Sequence, residues 1–175
     1  MTTVLIAYGS KRGGTAGLAA MIGDALANAH FEVQVCRAAD VHDLTGFDAV
    51  VVAGALYMNR WHRDARNFVR RLDIGLRRLP VWLVSSGPLD GSAAHSDIPP
   101  VKQVARLAAR VGARGHATFG GRLAPDARGV LAGAMAKNRS GDWRDRDEVE
   151  EWAASVARSL TGDRSAWSAG DRPFQ

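Results

Sequence analysis

Cysteine is nearly missing from this chain. Cys36 stands alone, which excludes an internal disulfide and any cysteine-built metal cluster. The histidines (His30, His42, His62, His95 and His116) are scattered, without the spacing that ligates zinc. No apolar run is long enough to cross a bilayer. Met1-Thr2-Thr3 leads straight into a strand pattern, with no charged region of a secretory leader. The expectation is a cytoplasmic protein in which Cys36 is a buried, inert thiol on a strand. Two common phosphate loops are absent as well. No Lys-Ser or Lys-Thr pair follows the early glycines, as a nucleoside-triphosphate loop requires. Gly9, Gly13 and Gly14 have the wrong offsets for a dinucleotide crossover.

What is present is a regular alternation. Apolar strand patterns lie at Val4 to Tyr8, Glu32 to Cys36, Ala49 to Ala53, Val81 to Ser85 and His116 to Phe119. The first, third and fourth are nearly continuous, as in parallel strands covered on both faces. Helical spacing joins Leu18, Met21, Ile22, Ala25, Leu26 and Ala29, and then Ala65, Phe68, Val69, Leu72 and Leu76. It returns in Val101, Val104, Ala105, Ala108 and Val111, and last in Val149, Trp152, Ala153, Val156 and Leu160. The chain of 175 residues fits one domain. The pattern predicts a three-layer, doubly wound α/β domain with a five-stranded parallel sheet over residues 1–161. Residues 162–175 read as a loose polar tail, on which Trp167 and Phe174 are the docking groups. Ala38 to Gly46 is short for a helix and predicts at most a single turn. Arg122 to Asn138 reads as a short helix or a lid.

Parallel strands share one C-terminal edge, so three loops should converge there. The first, Ser10-Lys11-Arg12-Gly13-Gly14-Thr15, ends an apolar strand and opens a helix. Its hydroxyls and backbone N–H groups suit a phosphate at a helix N-terminus. The second runs from Gly54 through Ala55, Leu56, Tyr57, Met58 and Asn59 to Arg60 and Trp61, and offers apolar and aromatic surface. The third, Ser86-Gly87-Pro88-Leu89-Asp90, is small enough to bring backbone amides close to a ligand. A phosphate cradle beside a flat apolar slot suits flavin mononucleotide (FMN), with the ring between the second and third loops and Tyr57 or Trp61 over one face. No acid–base pair is needed, because the cofactor carries the chemistry.

Net charge is +5, and the excess gathers in Arg60, Arg63, Arg66, Arg70, Arg71, Arg77 and Arg78. A basic face attracts anionic partners, including an anionic membrane surface to which the protein would be peripheral, or else it is a solvated helix face. Nucleic acid is not expected, because no binding module or aromatic–basic interleaving accompanies the arginines.

The three loops, in this order and spacing, resemble the flavodoxin family. The similarity is closer to its single-domain branch of menaquinone-dependent protoporphyrinogen oxidases. It rests on Val4-Leu5-Ile6-Ala7-Tyr8-Gly9-Ser10-Lys11-Arg12-Gly13-Gly14-Thr15 and on Gly54-Ala55-Leu56-Tyr57-Met58-Asn59-Arg60-Trp61-His62. Phe119-Gly120-Gly121-Arg122-Leu123, and Gly141-Asp142-Trp143-Arg144-Asp145 leading to Trp152, complete it. The resemblance implies a flavin-dependent oxidoreductase or electron carrier whose partner is a redox protein, a quinone or a small-molecule substrate. The chain departs from typical members in its Arg12-Gly13-Gly14-Thr15, in its basic charge, and in the short polar stretch Asp90 to Pro99 where the porphyrinogen oxidases carry a long insertion. Lys11 and Arg12 add more charge than a monophosphate needs, so a deazaflavin coenzyme with an acidic tail is the alternative ligand. A cofactor-free interaction module on the same fold is the alternative of another class.

Overall fold

The computed structural model describes residues 1–11, 13–87, 98–123, 141–142 and 144–170. In chain order the elements are β1 (Thr3–Gly9), α1 (Gly14–Asn28), β2 (Glu32–Arg37), β3 (Ala49–Tyr57), β4 (Arg60–Trp61), α2 (Arg63–Arg71), α3 (Asp73–Leu76), β5 (Val81–Ser86) and α4 (Lys102–Val111). They continue with β6 (Gly115–Phe119), β7 (Arg122–Leu123), β8 (Gly141–Asp142) and α5 (Arg146–Gly170). The main sheet runs β2-β1-β3-β5-β6, all parallel, with the short β4 antiparallel to β3. This is the expected doubly wound fold, and its strand order reverses beside β1.

Alternation along the strands divides the core between the two faces of the sheet. Val4, Ile6, Val51, Ala53 and Val84 point toward α1 and α5, where Leu18, Ile22, Leu26, Val149 and Val156 meet them. Leu5, Ala7, Val50, Val52 and Leu83 point the other way, onto Phe68 and Val69 of α2, Leu76 of α3, and Val104, Leu107 and Val111 of α4. Strands buried on both sides need apolar residues at every position, which is why these runs are continuous in sequence.

Three local expectations change. The helix expected through Leu76 breaks at Leu72 (φ −109°, ψ 20°) into α2 and α3. Asp73, just past the break, is held by Arg110 of α4 at 2.8 Å. The connection from Ala38 to Gly46 opens on a single hydrogen-bonded turn, as expected, in which the Asp40 N–H donates to the Arg37 carbonyl at 2.9 Å. Cys36 is half-buried rather than buried, because β2 is an edge strand; its Sγ accepts a hydrogen bond from Gln34 Nε2 at 3.3 Å. Finally, α5 does not stop at Leu160 but continues as helix to Gly170. Of the stretch read as a short helix or lid, Arg122 and Leu123 form β7; residues 124–138 lie outside the described residues, as does Phe174.

Candidate functional site

Register decides what meets at the C-terminal edge. Gly9 of β1 pairs with Gly54 of β3, and Ala55 of β3 pairs with Ser86 of β5. The first and second loops therefore leave adjacent strands side by side, and the third leaves β5 beside them.

The first loop is built as an anion cradle. Gly13 precedes α1 at φ 80°, a left-handed conformation that glycine adopts without steric cost. Its N–H donates to Ser10 Oγ at 3.0 Å. That bond uses one acceptor site of the hydroxyl and leaves the Ser10 O–H to donate elsewhere. No side chain caps α1, so the amides of its first turn face the loop with the positive end of the helix dipole behind them. Lys11 is exposed at the rim. Of the two hydroxyls expected at an anion, that of Ser10 stands in the loop; Thr15, in the first turn of α1, is 2% exposed. Arg12 falls outside the described residues.

Arg144 adds a charge that the sequence reading did not assign. Its guanidinium lies over the first turn of α1, in the space a Cβ on Gly17 would occupy. It follows the β7–β8 ribbon, in which Arg122 pairs with Asp142 and Leu123 with Gly141, and β7 rests against α1.

The flavodoxin domain family matches residues 5–138. The chain belongs to the flavodoxin family. No curated protein matches it. Among solved structures it is similar to a cysteine-to-serine mutant of flavodoxin from Pseudomonas aeruginosa, with 17% identity over 91% of this chain and 99% of that one, at a TM-score of 0.61. A flavodoxin from the domain Archaea gives 15% identity, the same coverages and a TM-score of 0.62. The rubredoxin oxygen:oxidoreductase of Desulfovibrio gigas gives 14% identity over 93% of this chain, which spans 37% of that longer chain, at a TM-score of 0.63. At these identities the likeness establishes the fold.

In this flavodoxin-family chain the second loop is less a loop than expected. Strand β3 runs on through Ala55 and Leu56 to Tyr57, then turns back into β4, pairing Leu56 with Trp61 and Tyr57 with Arg60. The two-residue turn is Met58 (φ 49°) and Asn59 (φ 59°). Two successive positive φ angles match the twist of a tight hairpin, at a local cost for the methionine. Tyr57 (44% exposed) and Met58 (77%) stand out at the tip. Trp61 does not cover a ligand: it is 1% exposed, packed in the core beneath Gly54, whose missing side chain makes room for the indole. The Ala55 carbonyl accepts the His62 N–H at 2.8 Å, and the Gly87 N–H donates to the Phe119 carbonyl at 3.0 Å. Those two backbone groups, expected at a ring edge, are bonded within the protein. Leu56 is half-buried, Asn59 is exposed, and Ser86 and Gly87 are buried; Pro88, Leu89 and Asp90 lie outside the described residues.

His62 closes the site from below. Its Nδ1 accepts the Asp64 N–H at 3.2 Å and caps α2, and a Cβ on Gly9 would lie 2.8 Å from the same atom. Burial holds the imidazole below its ordinary range; Asp64 opposes this, while Arg63, Arg66 and Lys11 add to it. A histidine that stays neutral when folded binds more protons when unfolded. Its contribution is full above 6.5, the ordinary value, and is lost as pH falls from there toward the lower folded value. His62→Asn keeps an N-cap acceptor. Urea midpoints compared between about pH 5 and pH 8 should show a smaller acid loss in that variant than in the parent. An identical loss in both would place the titrating group elsewhere.

Three of the arginines between Arg60 and Arg78 are bonded within the fold. Arg71 Nη2 donates to the carbonyls of Val41 at 2.7 Å and Ala38 at 3.3 Å. Arg77 Nε donates to the Arg110 carbonyl at 2.9 Å, and Arg63 lies 3.4 Å from Asp64. Among the described residues no helix is long and apolar enough to cross a membrane, and no cluster of His, Cys, Asp or Glu could hold a metal.

Proposed function

We propose that this protein binds FMN across the C-terminal ends of β1, β3 and β5 and acts as a flavin-dependent electron carrier or oxidoreductase. The observation that carries this reading is the uncapped, glycine-led start of α1 at the strand-order reversal, with Ser10, Lys11 and Arg144 around it. The residues present fit a phosphate monoester. Backbone amides of the first turn and the Ser10 hydroxyl donate hydrogen bonds, and Lys11 and Arg144 supply charge. When bound, the flavin ring supplies the redox chemistry.

The protein's own part is to bind and orient. Leu56 and Tyr57 form one wall of the slot. Gly87 lies close enough that a Cβ there would sit 3.2 Å from Leu56 Cβ, so β5 and the hairpin keep a narrow separation. Neutral His62 beneath the loop adds no net charge to the site. A porphyrinogen or quinone acceptor and a deazaflavin ligand are finer assignments, and mass identification of the released chromophore distinguishes FMN from a deazaflavin.

The test is direct. Purified protein should be yellow or should take up FMN, and riboflavin, lacking the phosphate, should bind more weakly. Ser10→Ala should lower FMN affinity about 10- to 150-fold, the worth of one charge-assisted hydrogen bond, and leave riboflavin affinity unchanged. Equal losses for both ligands would move the phosphate away from this loop. Protein that takes up neither flavin nor deazaflavin would be the cofactor-free module.

A further inference from the structure

A concavity lies away from the cradle, between α2, α4 and the β3–β4 hairpin, with a volume of about 690 Å³. Arg60, Arg70, Lys102, Arg106 and Arg110 line it, and no carboxylate among the described residues does. Arg110 is already neutralised, its Nη2 at 2.8 Å from Asp73. Arg60, Arg70, Lys102 and Arg106 are exposed and have no ion-pair partner among the described residues. Val101 and Leu107 give the cleft an apolar floor. Gln103 Oε1 accepts the Trp61 N–H at 2.9 Å, which ties the hairpin to α4 and fixes one end of the cleft.

Unbalanced cations on two walls of a cleft call for an anionic occupant. Shape and spacing narrow the choice. A flat bilayer meets the rims of a cleft and not its floor. Among the described residues no aromatic lines the cleft, so they offer no stacking platform of the kind that holds single-stranded nucleic acid. Lys102 and Arg106 are one helical step of four residues apart, about 6 Å along the axis, and a helix carrying carboxylates at the same interval matches that repeat. A second copy could offer its acidic stretch at Asp145, Asp147, Glu150 and Glu151, which lies on the opposite layer. Such a contact is head-to-tail and leaves the next groove open.

We propose that this groove docks an acidic α-helix of a protein partner, its carboxylates set between Arg60 and Arg70 on one wall and Lys102 and Arg106 on the other. The inference deepens the flavin reading by giving the electron partner an acidic face beside the exposed hairpin tip. It rests on that reading only for the partner's redox role.

The probe is a labelled synthetic helix with glutamates at positions i, i+4 and i+8, titrated against the full chain at low and at physiological salt. Controls are a same-composition peptide with the glutamates scrambled, a single-stranded oligonucleotide, and vesicles containing phosphatidylserine. The expected result is binding of the registered helix at least about tenfold tighter than of the scrambled one, weakening with salt. The triple reversal Arg70→Glu, Lys102→Glu, Arg106→Glu should cut that affinity at least about tenfold with FMN uptake unchanged. The milder Lys102→Gln, Arg106→Gln pair should lower it in the same direction if the reversal fails to fold. Absence of peptide binding at low salt, equal affinity for both peptides, or indifference to the substitutions overturns the proposal. So does tighter, reversal-sensitive binding of vesicles or oligonucleotide, or self-association that the reversal abolishes. Loss of flavin uptake with peptide binding intact would sink the flavin reading alone.

Discussion

Gly54→Ala is expected to destabilise the fold by about 3 kcal/mol, a large effect for one methyl group. The added Cβ would fall on the indole of Trp61, a fully enclosed side chain with Phe68, Leu83 and Leu107 in the same cluster. The ring cannot retreat, because β4 is paired with β3 and the Trp61 N–H is bonded to Gln103. Trp61→Ala alone should cost about 3–5 kcal/mol through the cavity it leaves. The double variant should cost clearly less than the sum, with a coupling of about 2 kcal/mol, since each change relieves the other. Urea unfolding of the four proteins measures this, and additive costs would show that the glycine serves some other purpose. The indole Nε1 is buried and has no hydrogen-bond partner among the described residues.

The second large effect separates folding from binding. Arg144→Glu exchanges a cation for an anion over the first turn of α1. FMN affinity should fall about a hundredfold or more, because the carboxylate repels the phosphate and occupies its place at the amides. Riboflavin affinity should barely move. Equilibrium titrations with both ligands, beside thermal unfolding of the empty protein, give the answer. A variant that loses stability and both affinities together would make Arg144 a structural strut, with no part in recognising an anion.

Much of this architecture can be read from sequence where burial is two-sided. Val4 to Ile6, Val50 to Val52 and Val81 to Val84 have no polar face, so their runs mark β1, β3 and β5. Their adjacency then follows from the connection rules, and with it the meeting of the loops. The hairpin after β3 was hidden because its turn carries Met58 and Asn59 with no glycine, and methionine rarely takes a positive φ. Trp61 misleads for a related reason. An aromatic near a ligand loop reads as a ring cover, and only the glycine seven positions earlier betrays its place in the core. Arg144 reaches α1 through a ribbon of two two-residue strands, too short to leave a periodic signal. The arginines between Arg60 and Arg78 cluster in sequence but serve different neighbours, because a helix turns successive residues toward different surroundings.

The proposed cradle draws its groups from distant parts of the chain. Ser10 and Gly13 leave the ribosome well before Arg144 and the α5 helix that rests on α1. A nascent chain halted before that point can pair β1 with β2 and β3, yet it lacks the late cation and the cover for α1. Under the proposed reading, an anion is held at full strength only once the segment carrying Arg144 has been made and has folded onto α1.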